Sequence, residues 1–158
     1  MQHVRRCRTG PEVPFVVTVR SPSVAGVLPV TTSTLRVFIH VLAATVWVGG
    51  QLTLAGLVPG LRDLDARAPK AVARRFNTIA WPAFGILVVT GIWNVTAVDV
   101  VWSSAYGRTL IVKLALVGAS GTTAFLHARS HSKRALAAFG ALSGLTALGA
   151  LFLGTMLG

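Results

Sequence analysis

The run VFIHVLAATVWVGGQLTLAGLV, residues 37–58, decides the fold. It contains no Asp, Glu, Lys or Arg. A helix of about 20 apolar residues crosses the ~30 Å of hydrocarbon in a bilayer. In lipid every backbone N–H and C=O must be satisfied within the protein, which for a single unbroken run means a helix. A barrel strand would be about half as long and would alternate in polarity, and this run does not alternate. Working outward, three further spans are read at about 79–98, 108–128 and 135–157. The apolar centre of the third, 110–126, is broken only by Lys113. The expected fold class is all-α, an integral membrane four-helix bundle over residues 34–158, preceded by a tail over 1–33 read as disordered. Pro59-Gly60 is expected to end the first helix, and Trp81-Pro82 to lie in the first turns of the second, where proline costs least. Trp81 and Trp102 flank spans as interfacial aromatics do.

Composition agrees. Charged residues make up 12% of the chain and apolar ones 53%, with mean hydropathy +0.69. A soluble domain is about 25% charged. Lys and Arg total 15 against 4 acids, a net charge of +11. Such an excess suits nucleic acid or an anionic membrane surface. The charges sit between apolar runs and no nucleic-acid module is present, so the lipid bilayer is the expected partner and nucleic acid is not. The single cysteine, Cys7, allows no disulfide framework.

Basic residues set the orientation. Loop one carries Arg62, Arg67, Lys70, Arg74 and Arg75; loop three carries Arg129, Lys133 and Arg134; loop two carries Arg108. Loops one and three are therefore expected in the cytoplasm, and loop two and both termini outside. Arg5, Arg6, Arg8 and Arg20 in the tail oppose this reading but are outweighed by the two short loops.

Polar residues inside spans are costly and tend to be functional. At ~1.5 Å per residue, His40, Asn94 and Lys113 each lie about 5–6 Å below the same surface. His40, Ala44, Trp47 and Gln51 share one stripe of the first helix, and Lys113, Val117, Ser120, Ala124 and His127 share one of the third. The expectation is a pocket near the outer face, with His40 as a metal ligand, Met156 as a second candidate ligand, and Trp47, Gln51, Asn94 and Lys113 around them. His127 and His131 are read as solvated. Gly140 and Gly144 form a GxxxG step and are read, with Gly118 and Gly121, as packing residues.

These residues in this order resemble the copper-resistance protein D family. The stretch from His40 through Trp47 to Gly49-Gly50, the pairs Arg75-Phe76 and Thr90-Gly91, and the sequences Tyr106-Gly107-Arg108 and Val112-Lys113-Leu114 carry the resemblance, over roughly residues 35–158. It implies a multi-pass protein of a bacterial inner membrane engaged in copper transport or resistance, with copper ion as its metal. A homodimer or a periplasmic copper-binding protein is the expected partner.

A first-helix His and a third-helix Lys are also similar to HemJ-type protoporphyrinogen oxidases. That similarity implies haem b, His40 as axial ligand, and Lys113 at the redox site or on a propionate. Sulfur ligands for Cu(I) are sparse: Met1, Cys7 and Met156. A cationic Lys113 suits an anion better than a bare metal ion. No Walker loop, nucleophile elbow or zinc-protease motif is present. Transport or metal binding is expected ahead of catalysis; a haem-dependent oxidoreductase and an accessory membrane subunit without chemistry are the alternatives.

Overall fold

The computed structural model describes residues 29–157. They form four helices, each long and apolar enough to cross a membrane: α1 (Thr32–Leu64), α2 (Ala68–Thr96), α3 (Ala105–Arg129) and α4 (Lys133–Met156). The tail expected over 1–33 lies outside the described residues as far as residue 28. Side-chain caps explain the helix starts. Thr31, Ser104 and Ser132 each accept a hydrogen bond from the backbone N–H three residues on, at 3.1–3.2 Å. Each satisfies one of the orphan donors of a helix N-terminus.

The helices are longer than the charge-free runs, which mark hydrocarbon rather than helix. α1 continues through Pro59-Gly60 to Leu64, and α2 begins at Ala68. Pro59 therefore does not end α1. It lies inside the helix near its exposed end, where water or lipid headgroups can serve the carbonyl it leaves unpaired. The first-turn proline of α2 is Pro69; Pro82 sits in mid-helix. Arg62 lies on α1, and Lys70, Arg74 and Arg75 lie on α2, so these basic residues ride on helical extensions and loop one is short.

The bundle is two hairpins. α3 packs most intimately on α4, and α1 on α2. The α3–α4 seam is lined by small residues, with Ser120 only 1% exposed and Ser143, Ala147 and Ala150 buried. Small residues allow this approach where lipid removes the hydrophobic drive between helices. Large apolar side chains such as Phe38, Val89 and Phe152 point outward, as a lipid solvent requires.

A π-helical segment, Thr45–Gly49, interrupts α1. Its extra residue re-aims the helix and buries Trp47 and Val48. Trp47 packs at a tilt of 39° against Phe84, 4.4 Å between ring centroids, and meets Trp81 edge-on at 5.7 Å. Trp81 thus belongs to an aromatic cluster with Trp47, Phe84 and Phe125. Trp102 is exposed in loop two.

The start of α3 turns back tightly on loop two. A Cβ at Gly107 would stand 2.6 Å from the Trp102 backbone and the Val101 carbonyl, neither of which can swing aside. Gly107→Ala is expected to cost about 1–3 kcal/mol of stability. Gly118→Ala, which meets nothing within 4 Å, should cost none. Thermal unfolding of both variants in detergent checks the difference.

Candidate functional site

The candidate residues fall at two levels of the bundle. At the loop-two end, α1 and α2 are joined by two rungs one helical turn apart. Arg36 Nε donates to Asn94 Oδ1 at 2.7 Å, and its guanidinium lies 5.9 Å from the Trp93 ring centroid. One turn deeper, His40 Nδ1 and Thr90 Oγ1 are 2.9 Å apart.

The direction of the His40 bond follows from Thr90. A hydroxyl has one proton to give, and that of Thr90 goes to the carbonyl of Ile86 at 2.7 Å, with the Leu87 carbonyl at 3.3 Å. Towards the imidazole, Thr90 Oγ1 is therefore an acceptor, and His40 Nδ1–H donates. In the neutral ring with its proton on Nδ1, Nε2 keeps its lone pair and can accept.

Lys113 is the next of the expected site residues. It is half-buried on α3 and lies across α4, with Nζ 3.2 Å from where a Cβ at Gly154 would stand. Met156, at the end of α4, is 63% exposed, so its thioether faces away from the packed interior.

The second level is closed. Trp47 Nε1 donates to Ser120 Oγ at 3.1 Å, and Ser120 donates to the Ser143 carbonyl at 3.1 Å. The Ser143 hydroxyl is shared between Gln51 Oε1 at 3.0 Å and the Ser120 carbonyl at 3.1 Å. This network ties α1 to α3 and α4 about 10–16 Å along the helix from His40. Trp47 and Gln51 thus share the His40 stripe but are engaged at a different depth. Gln51 Nε2 is buried without a hydrogen-bond partner among the described residues.

At the opposite end, His127 is half-buried and its Nδ1 meets the Leu136 carbonyl at 2.8 Å. That corrects the expectation that it is solvated; His131 is exposed. A cleft of about 450 Å³ at the loop-one end, lined by Gly50, Leu57, Arg75 and Phe76 among others, lies away from His40.

Thr90, Arg36 and Ser143 were not among the expected site residues. Only Thr90 left a signal, in the Thr90-Gly91 pair. A second pattern was hidden in the glycines. Gly91 faces His40, Gly140 faces His127, Gly144 faces Gln51 and Gly154 faces Lys113. Each span-borne polar side chain of this set lies over a glycine of a neighbouring helix, so Gly140 and Gly144 make room for side chains as well as for backbone.

Among the described residues no group of three or more His, Cys, Asp and Glu side chains could hold a metal ion. A metal at His40 would have one imidazole from this chain and further ligands from elsewhere.

The sequence model of a family described as copper resistance protein D matches residues 70–157, that is, α2 through α4, leaving α1 with His40 outside the matched segment. The copper transport protein CutJ of Bacillus subtilis (strain 168) is 32% identical over 84 residues, covering 50% of this chain and 16% of that protein. No solved structure matches.

Replacing Thr90 tests the reading of the imidazole. Thr90→Ser should keep the proton of His40 on Nδ1, and Thr90→Val should release it to exchange between the two nitrogens. Ring ¹⁵N chemical shifts of histidine-labelled protein report the outcome.

Proposed function

The chain belongs to the copper resistance protein D family, and from that premise we propose that it is a copper-homeostasis protein of a bacterial inner membrane, taking copper as substrate at the loop-two end with His40 as its ligand. The observation that carries this reading is that His40 Nδ1 is engaged by Thr90 while Nε2 makes no hydrogen bond among the described residues. Imidazole suits copper in either common oxidation state better than the oxygen ligands nearby. The relative whose printed name is copper transport protein supports the same substrate.

The loop-two end faces outward in this proposal. Arg62, Arg67, Lys70, Arg74, Arg75, Arg129, Lys133 and Arg134 are exposed at the opposite end, which the positive-inside rule assigns to the cytoplasm. Since one imidazole is a thin ligand set, a second copy of the chain or a periplasmic copper-binding protein supplies the remaining ligands. Met156, presented outward, can serve a metal only in such an assembly.

A haem-binding oxidoreductase is the second reading, favoured by Lys113 and Arg36, whose charges suit propionates. The ligand chemistry fits, since His40 Nε2 could be an axial ligand. Two open clefts, of about 450 and 390 Å³, lie at the loop-one end, away from His40.

Detergent-purified protein should bind copper, and His40→Ala should abolish that binding while His127→Ala retains it. Metal analysis with an absorption spectrum of the same samples decides. A Soret band lost in His40→Ala would replace copper by haem, and neither copper nor Soret absorption would favour an accessory subunit.

A further inference from the structure

The loop-one end carries a surplus of positive charge. Arg62, Arg67, Lys70, Arg74 and Arg75 stand there against Asp63 and Asp65. The Asp65 carboxylate accepts the backbone N–H of Arg67 at 2.8 Å. All five basic residues are exposed.

The apolar surface beside them is cleft. The opening of about 450 Å³ runs between α1 and α2, with Leu54 and Leu57 on one wall and Val72, Phe76 and Ile79 on the other. Gly50 shapes it: a Cβ there would collide with the Phe76 ring, so glycine lets that ring lie against α1. Arg75 is the one charged residue that lines this cleft. The second cleft, of about 390 Å³, is lined by Arg67, Lys70, Ala71 and Arg74. Arg74 and Arg75 are neighbours in the chain, so the basic cleft adjoins the apolar one on the first turns of α2. The apolar cleft then continues from Arg74 to Ile79, about 7–8 Å further along the helix. Side chains of a helix tilt towards its N-terminus, which leans the Arg75 stem towards loop one.

An anionic phospholipid has the same order of chemistry, an acyl chain below and a phosphate above. We propose that the α1–α2 cleft at the loop-one end is a binding site for such a lipid. An acyl chain lies between Leu57 and Phe76, and Arg75, with Lys70 and Arg74, holds the headgroup phosphate. A zwitterionic headgroup offers the same phosphate with a cation beside it, so the surplus of basic residues selects a headgroup of net negative charge. The site is separate from His40 and does not depend on the copper reading.

Native mass spectrometry of the full chain tests this. The detergent-purified protein is offered equimolar phosphatidylglycerol and phosphatidylcholine with the same acyl chains. Wild type should retain phosphatidylglycerol in preference. Arg75→Gln should lower that preference about fivefold. Arg134→Gln, at the same end but lining neither cleft, should leave it unchanged. Thr53→Trp, which fills the apolar cleft, should reduce retention of both lipids. Equal retention of the two lipids by wild type overturns the proposal. So does an equal loss in Arg75→Gln and Arg134→Gln, which would make the attraction a property of the whole basic end. Unchanged retention in Thr53→Trp overturns it too, by placing the lipid elsewhere. Thermal unfolding in lipid-free detergent reports that each variant is folded; if Thr53→Trp is not, the arginine pair decides alone.

Discussion

A bilayer interior offers no water to a stranded polar group, and everything in this structure answers to that constraint. It makes the four spans helical. It also leaves little hydrophobic drive between helices, so close contact depends on small residues and shared hydrogen bonds. The buried Ser120–Ser143 pair, joined to Trp47 and Gln51, is the result: a polar seam that fastens α1 to the α3–α4 hairpin. The glycines facing His40, Gln51, Lys113 and His127 are the steric counterpart. Polar side chains stay inside because the neighbouring helix gives up a side chain to make room.

Within this frame the two levels of polar residues differ in kind. At the Trp47 level donors meet acceptors and little is left over apart from Gln51 Nε2. At the His40 level, Thr90 engages one ring nitrogen and leaves the other. The free ring nitrogen of His40 makes the loop-two end the place where a ligand is proposed.

Much of this was legible in the sequence. Charge-free runs located the spans because desolvating a charge is costly wherever it occurs, and counting residues from their ends put His40, Asn94 and Lys113 near one end. Helix ends were less legible, since hydropathy reports lipid and not hydrogen bonding; α2 begins well before its apolar run and carries Arg74 and Arg75 on a helical turn. Pairing was hardest to read. A stripe of His40, Trp47 and Gln51 shows a common face, but which neighbour each side chain meets depends on the π segment at Thr45–Gly49 and on which helices pack together. Thr90 could be found only by asking which hydroxyl on α2 stands opposite His40.

The central claim is that Nε2 of His40 is the chain's ligand to copper. Pulsed electron paramagnetic resonance of Cu(II)-loaded protein detects the remote, protonated nitrogen of a coordinated imidazole. The account predicts modulation from a remote imidazole nitrogen that carries its proton and vanishes in His40→Ala. Copper that binds with no such modulation, or with modulation that survives in His40→Ala, would contradict it.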